Sequence, residues 1–279
     1  MHPLLIRFSS IPSTQDWVGR WARLGAQEGL AVQALEQTAG RGRLQRRWWS
    51  PPGAGLYLSV LLRPTLSLTQ ASQLTMLVAL AAIDACQQTT GVTPQPKWPN
   101  DLVLHDRKLA GVLADVEQTG GRLQFAVLGL GLNVAMTFSV TPLAATAISL
   151  AEVASGPIQL EQLRDAYLAA LADRYRRFRE GESPHEAWRQ HLYPLGRRVR
   201  VEQHGQPDLV GQAFDVHTLG GLLVRDDAGS VHTVWAGDVV VATLDASAGA
   251  DASFISVSSV SSVVSARTPL QAPDPASAE

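Results

Sequence analysis

Residues 39–53 read AGRGRLQRRWWSPPG, with arginines at 41, 43, 46 and 47, then adjacent tryptophans and adjacent prolines. The chain around them carries a formal net charge of −2, so this is a local concentration of positive charge. On either side the pattern is that of strands: Leu30 to Glu36 before it and Leu56 to Leu62 (LYLSVLL) after it. Loops this long inside a compact domain are functional or disordered. Glycines let backbone amides approach a ligand, and arginine forks bind carboxylate and phosphate oxygens with paired hydrogen bonds. A tryptophan beside them can stack on a planar base. On its residues alone the segment admits three readings: a site for a nucleotide and a second anion, a solvated basic loop, or an Arg/Trp surface for RNA. It is not a dinucleotide fingerprint, because Gln45 stands where the third glycine belongs and no helix pattern follows. It is not a P-loop either, because the GK[ST] ending is absent.

Outward from this loop, Ser13-Thr14-Gln15-Asp16 starts a helix. Ser13 acts as N-cap, Trp17, Trp21 and Leu24 follow at helical spacing, and Gly25 and Gly29 close the element. Thr69 to Gln88 has the alanine content and apolar density of a buried helix. Pro94 to Asp101 breaks that pattern. Asp101 to His105, Leu109 to Glu117 and Arg122 to Val134 read as strands joined by the HDRK and TGG turns. Leu160 to Phe178 is an amphipathic helix. Ser183-Pro184-His185-Glu186 reads as a capping box opening a helix to about His191. From Arg197 to about Ala242, short alternating runs predict a small barrel of roughly five strands. Past Thr243 the composition shifts to Ser, Ala and Pro, which predicts disorder, with Phe254 to Val264 as a transient strand.

Apolar residues make up 46% and charged residues 17% of the 279, which suits a globule with a sizeable core. The weak acidity argues against a general binder of nucleic acid or anionic membranes. One cysteine, Cys86, allows no intrachain disulfide and no cysteine metal site; it reads as a buried helix residue. No signal-peptide pattern is present, and the expected location is the cytoplasm.

Three further segments can carry chemistry. In Lys97-Trp98-Pro99-Asn100-Asp101-Leu102, Asn100 either caps a turn or bonds a base edge, and Asp101 either enters a strand structurally or serves a site. Lys108 is either an exposed turn lysine or a fixed positive charge aimed into a cleft. Gly111, three residues on, signals a bulge or close backbone approach. Gly129 and Gly131 in GLGLN mark either a twisted central strand or a ligand wall.

Taken in order, Ser13-Thr14, EQTAGRGRLQRRWWSPPGAGLYLS, KWPNDL, DRKLAGVL and LGLGLNV resemble the biotin protein ligases over about residues 9–136. The resemblance implies an α/β (α+β) fold. A mixed-sheet catalytic domain like that of class II aminoacyl-tRNA synthetases would span 1–194, a small SH3-like β-barrel 195–243, and a disordered tail 244–279. Because the motifs begin within the first fifteen residues, the expected type is the ligase without an N-terminal winged-helix DNA-binding domain. The implied reaction has two halves. Biotin and Mg-ATP give biotinyl-5′-AMP and pyrophosphate, and then a carrier lysine takes the biotin. Implied partners are ATP, Mg²⁺ and the biotin carboxyl carrier protein of acetyl-CoA carboxylase or a similar carboxylase. A homodimer is compatible with the resemblance, and neither DNA nor a membrane is implied. A lipoate or other acyl ligase of the same fold is the alternative enzyme.

By the same resemblance, Ser13, Thr14 and Gln37 bind the ureido ring, Gly40 and Arg41 meet the carboxylate end, and Gly111 and Gly129 line the pocket. Lys108 contacts the carboxylate and α-phosphate as main electrostatic catalyst. Arg43 and Arg46 face the phosphates, Trp48 covers the adenine with Asn100 and Asn133 at its edge, and Asp101 orients the metal or the incoming lysine. No protein nucleophile is needed, but several cations are. At ~4 Å and an effective dielectric of ~20, each ion pair is worth ~4 kcal/mol before desolvation. The loop is expected to be mobile without ligand. Two positions depart from the family pattern: Gln45 replaces a glycine of the loop, and Ala242 stands near an arginine that often follows Gly-Glu, here Gly237-Asp238.

Overall fold

The computed structural model describes residues 3–203, 205–242 and 254–255. Its first sheet has seven strands: β1 (Leu4–Ile11), β2 (Leu30–Gln37), β3 (Gly55–Leu62), β4 (Gln95–Lys97), β5 (Asp101–Leu104), β6 (Arg107–Thr119) and β7 (Arg122–Asn133). They lie in the order β1-β2-β3-β7-β6-β5-β4. Only β1 and β2 run parallel; every other pair is antiparallel.

The apolar run of β3, interrupted by Ser59, follows from its central place, since all eight of its residues are buried. Leu56, Leu58, Val60 and Leu62 join the core formed with α2 (Ser72–Thr90) and α3 (Leu160–Arg179). Leu61 faces the other way, toward Val18 and Ala22 of α1 (Thr14–Arg23). A sheet covered on both faces needs apolar residues on both sides of its central strands. α1 begins as expected: the Ser13 side chain accepts from the Asp16 N–H at 3.4 Å. α2 ends at Gly91, whose φ of 73° is the left-handed cap that glycine favours. By length and composition 68–90 could cross a membrane, but 56% of its apolar window is buried inside the fold. Cys86 sits in it, fully buried.

Two strands are invisible to pattern reading. β1 is an edge strand with mixed exposure, so it shows no clean alternation. β4 is three residues long and contains Pro96, which an edge tolerates because no ladder bond is asked of its nitrogen. The capping box expected at Ser183 is absent. The helix α4 spans His185–His191, Pro184 occupies the N-cap position, and Ser183 Oγ instead accepts from the His185 N–H, two residues on, at 3.3 Å.

The five strands expected after residue 197 are β8 (Arg198–Glu202), β9 (Leu209–Val216), β10 (Leu222–Arg225), β11 (Val231–Val234) and β12 (Asp238–Ala242). They pair antiparallel in the order β11-β10-β9-β8-β12, with 254–255 against the outer edge of β12. Among the described residues no pairing closes β11 onto the far edge, so the sheet is open. The rest of the expected tail lies outside the described residues. This sheet is tied to the first: Trp98 Nε1 donates to Gly220 O at 2.8 Å, Ser72 Oγ to Leu219 O at 2.7 Å, and Arg189 Nε to Asp215 at 2.5 Å. One hydrophobic cluster runs through both sheets, from Trp98 and Val112 to Val201 and Leu222.

Candidate functional site

Strand register lays out the floor of a cleft. Lys97 pairs with Asp101, Asp101 with Gly111, Gly111 with Gly131 and Gly131 with Tyr57, a row running across five strands. The next row on the same face is Leu113, Gly129 and Ser59. Three glycines therefore stand together where side chains would otherwise project. Each meets a close approach: an added Cβ would lie 2.5 Å from Gln15 Oε1 at Gly129 and 2.5 Å from Trp48 Nε1 at Gly131, where something would have to shift, and 3.1 Å from the Trp48 ring at Gly111, a tighter than ordinary contact.

One end of the cleft is a buried polar network built on the N-terminus of α1. Gln37 Oε1 accepts from the Thr14 N–H at 2.8 Å and from Thr14 Oγ1 at 3.1 Å. Thr14 Oγ1 also lies 2.8 Å from Ser59 Oγ, so its single proton goes either there or to Gln37 Oε1, and Ser59 Oγ donates to Gln15 Oε1 at 2.9 Å. Gln15 Nε2 donates to Val127 O at 2.8 Å, and Gln37 Nε2 to Ser50 Oγ at 3.0 Å. Fully connected side chains of this kind fix one geometry, because an unpaired member would be costly to bury.

The arginine segment closes the cleft from above as a short hairpin. Arg41 and Arg47 bridge, Gly42 N–H donates to Arg46 O at 2.7 Å, and Trp48 N–H to Gly40 O at 2.8 Å. Gly40 is held against Trp48 O and Ser50 Oγ, which an added Cβ would approach to 2.6 and 2.8 Å. The turn falls at Leu44 and Gln45, with φ of 53° and 60°. The place where the family pattern has glycine is thus a left-handed position, and Gln45 holds it at a cost of about 1–2 kcal/mol.

Four of the five cations that line the cleft have a carboxylate partner, while Arg47 donates to Thr38 O at 2.7 Å. Arg41 reaches Asp16 at 2.5 Å and Asp115 at 3.2 Å. Arg43 donates to Asn100 Oδ1 at 3.0 Å and lies 3.8 Å from Asp238, while Arg46 lies 2.5 Å from Asp238. Lys108 Nζ sits 2.8 Å from Asp101 Oδ1 and 5.3 Å from the centre of the Trp48 ring. The backbone at Lys108 is clamped: its N–H donates to Thr146 O at 2.7 Å, and its carbonyl accepts from Ile148 N–H at 3.0 Å and Asn133 Nδ2 at 3.3 Å. Lys97, only 4% exposed, is pushed down to about 8. Burial is the main cause, partly offset by Asp101 and reinforced by Lys108. Burial likewise pushes the Cys86 thiol up to about 12, which removes it as a nucleophile.

Twelve of the expected site residues line this one cleft: Ser13, Thr14, Gln37, Arg41, Arg43, Arg46, Trp48, Asn100, Asp101, Lys108, Gly111 and Gly129. Gly40 supports the hairpin instead of lining it. Asn133 lies outside the cleft, where its Nδ2 donates to Ile148 O at 3.0 Å and to Lys108 O. Pattern reading missed Gln15 and Ser59, which complete the polar network, and Asp238, which pairs the loop arginines; Gly131, marked there as a twisted strand or a ligand wall, seats Trp48. Nothing in the sequence places Asp238 near residues almost two hundred positions earlier. The lining carries five cations against Asp101 and Asp238, so it favours an anionic ligand. Trp48 Nε1 is buried without an acceptor, a donor that a ligand oxygen or nitrogen would satisfy. Among the described residues no group of three His, Cys, Asp or Glu could hold a metal.

The model of the Biotin/lipoate A/B protein ligase family matches residues 7–133. The biotin–[acetyl-CoA-carboxylase] ligase of Mycobacterium tuberculosis is 35% identical over 230 residues, covering 81% of this chain and 84% of that protein. This chain belongs to the biotin protein ligases. The bifunctional ligase/repressor BirA of Bacillus subtilis is 30% identical over 239 residues, covering 84% of this chain and 73% of the relative. The biotin protein ligase of Aquifex aeolicus, solved in complex with biotin and ATP, superposes with a TM-score of 0.72 at 27% identity, covering 85% of this chain and 97% of that one. As a biotin protein ligase, the chain has its cleft built mainly from the matched segment, with Asp238 added from beyond it.

Proposed function

We propose that this biotin protein ligase activates biotin and transfers it to a carrier lysine within the cleft under the arginine hairpin. One observation supports the reading most: a buried polar network and a cluster of arginines and lysine line the same glycine-floored cleft. Biotin presents the matching polarity, an uncharged ureido ring at one end and a carboxylate at the other. Thr14, Gln37 and Ser13 are proposed to bind the ring, with Gln15 and Ser59 holding them in place. Gly129 and Gly111 admit the bicycle and chain, and Arg41 takes the carboxylate end.

In the first half-reaction a biotin carboxylate oxygen attacks the α-phosphorus of ATP, the bond to the β-phosphate oxygen breaks, and pyrophosphate leaves. Carboxylate and triphosphate repel, and the chain's task is to neutralise them while holding them in line. Lys108, clamped by its own backbone bonds, is the cation we assign to the reacting carboxylate and α-phosphate. Arg43 and Arg46 are assigned to the outgoing phosphates. Trp48 and Asn100 are assigned to the base; Asn133 acts on Lys108 through its carbonyl. In the second half, the carrier lysine amine attacks the mixed anhydride carbonyl, AMP leaves, and an amide forms.

Magnesium fits this donor set only as a partner of the nucleotide. One carboxylate, Asp101, stands in the cleft floor, and it is paired with Lys108. Mg²⁺ bound mainly by phosphates and water, with one such carboxylate at most, agrees with its usual habit. When bound it supplies charge neutralisation to the phosphates.

The catalytic unit is proposed to span 1–194, as a sheet of the class II synthetase kind, and the unit at 195–243 to be a small SH3-like fold. The partner is proposed to be the biotin carboxyl carrier protein of acetyl-CoA carboxylase or a similar carboxylase, and the compartment the cytoplasm. Incubation with biotin, Mg-ATP and a carrier domain tests the reading: the carrier lysine should gain the mass of a biotinyl group. Lipoate transfer without biotin transfer would overturn it. An RNA-binding role for the hairpin would instead show as binding that collapses with salt.

A further inference from the structure

β6 carries one residue too many where it pairs with β5. Leu102 pairs with Ala110 and Val103 with Lys108, so one step along β5 answers two along β6, and Leu109 is the extra residue of a bulge. The bulge decides which face Lys108 takes. Side chains alternate along a strand, and Gly111 and Leu113 line the cleft. Regular pairing would put Leu109 on that face and turn Lys108 to the other, beside Ala110. Instead, Leu109 and Ala110 are both fully buried in the main core, and Lys108 lines the cleft with its Nζ 2.8 Å from Asp101 Oδ1. Residues 146–152 pin this bulge. Lys108 and Ala147 form a parallel bridge through the bonds of the Lys108 N–H to Thr146 O and of the Ile148 N–H to Lys108 O. Glu152 locks the segment to the strand. One of its carboxylate oxygens accepts from the Ser149 N–H at 2.9 Å, directly after Ile148, and the other from Arg107 Nη1 at 3.0 Å, directly before Lys108. Strand, segment and carboxylate thus close a ring around Lys108. The other side of the segment is tied to the end of β7: the Ala151 N–H donates to Val134 O at 2.8 Å and Ser149 Oγ to Met136 O at 2.9 Å.

We propose that Glu152 is a positioning residue for adenylate formation: it holds residues 146–148 on the bulge at Leu109, and the bulge aims Lys108 into the cleft. The inference rests on the ligase reading and deepens it, since it takes Lys108 as the cation at the reacting carboxylate and α-phosphate. Glu152 does not line the cleft, so its effect passes through the backbone of Lys108. A lysine side chain is long and flexible, and its ammonium is placed only as well as its Cα is fixed. A misplacement of about 1 Å at a reacting centre can cost ~10²-fold in rate. Without the bond between Glu152 and Arg107, Leu109 competes with Lys108 for the place opposite Val103. A slip by one residue exchanges the two faces of the strand. Burying the Lys108 ammonium in the core is opposed by its desolvation, so the strand start loosens instead, and the ammonium loses its fixed place over the cleft floor.

The test is Glu152→Gln, which keeps an oxygen for the Ser149 N–H and sets an amide donor against Arg107. Arg107→Met breaks the same bond from the other side. Exchange of the α2 amides reports whether each variant is folded. The amides of Lys108 and Ile148 should exchange roughly tenfold or more faster in both variants than in wild type. The kcat of biotinyl-adenylate formation should fall roughly tenfold or more, while KM for biotin and for ATP changes by less than about twofold, because positioning and not binding is lost. In a Lys108→Ala background, Glu152→Gln should lower the rate by less than about twofold, since the residue it acts through is gone. Wild-type exchange at Lys108 and Ile148 in both variants overturns the proposal, as does a wild-type kcat in both. So does a loss as large in the Lys108→Ala background as in wild type, which would make Glu152 act elsewhere. In each of these cases biotinyl-adenylate formation by wild type leaves the ligase reading standing. Wild type that forms no adenylate removes that reading and this inference with it.

Discussion

Replacing Lys97 by methionine should make the protein more stable. Lys97 is 4% exposed and carries its charge next to the Lys108–Asp101 pair. Burial pulls it from 10.5 to about 8. A displacement of that size corresponds to about 3 kcal/mol of folding free energy lost by keeping the ammonium charged at neutral pH. The sign follows from proton counts. Between pH 8 and 10.5 the unfolded chain binds a proton at Lys97 that the folded chain has released, so wild-type stability rises with pH through that window. Below pH 8 both states are charged and the full cost is present; above 10.5 both are neutral and the cost is gone. Methionine has a similar length and no charge, so Lys97→Met should be more stable than wild type at pH 7 by about 1–3 kcal/mol. That advantage should shrink toward zero above pH 10.5. Urea unfolding of both proteins across pH 7–10.5 measures it, since other titrations cancel in the difference. An advantage that is constant or grows with pH would refute the argument. Because the lost ammonium also neighbours the cation end of the cleft, the variant should form biotinyl-adenylate more slowly.

Lys108→Ala should cut adenylate formation by roughly 10²–10³-fold, from the loss of one ~4 kcal/mol ion-pair contribution before desolvation; a rate near wild type would return Lys108 to a purely structural role. Gly131→Ala places a Cβ 2.5 Å from Trp48 Nε1, so the indole must leave its seat; steady-state kinetics should show KM for ATP raised by roughly tenfold or more with the fold intact. Gln45→Val puts a β-branched side chain at φ 60°, where such side chains fit worse than glutamine, and should raise hairpin exchange, which an unchanged exchange profile would contradict.

Sheet centre and helices were legible because burial on both faces leaves an apolar run in β3 and because α2 and α3 keep helical spacing. Edge strands were not, since β1 and β4 are not required to alternate. The cleft floor was legible in part: Gly111, Gly129 and Gly131 announce close approach, and register then shows why, as they share one face with Ser59. Asn133 sits on the same strand parity as those glycines, yet residues 146–151 fold back over the strand end and take its amide toward Ile148 O. The counterions were the least legible feature. Asp16 and Asp101 belong to motifs read for other reasons, and Asp238 meets its arginines only because β12 is pressed against β8. Conversely, Gln45 departs from the family pattern, and its left-handed backbone gives the physical reason that glycine suits the place.

Biotin-dependent exchange of labelled pyrophosphate into ATP tests the central claim most directly, because it reports the reversible formation of the adenylate without any carrier. Exchange should appear with biotin, be lost in Lys108→Ala, and not appear when lipoate replaces biotin. Exchange that is absent with biotin, or that lipoate supports and biotin does not, would contradict the account.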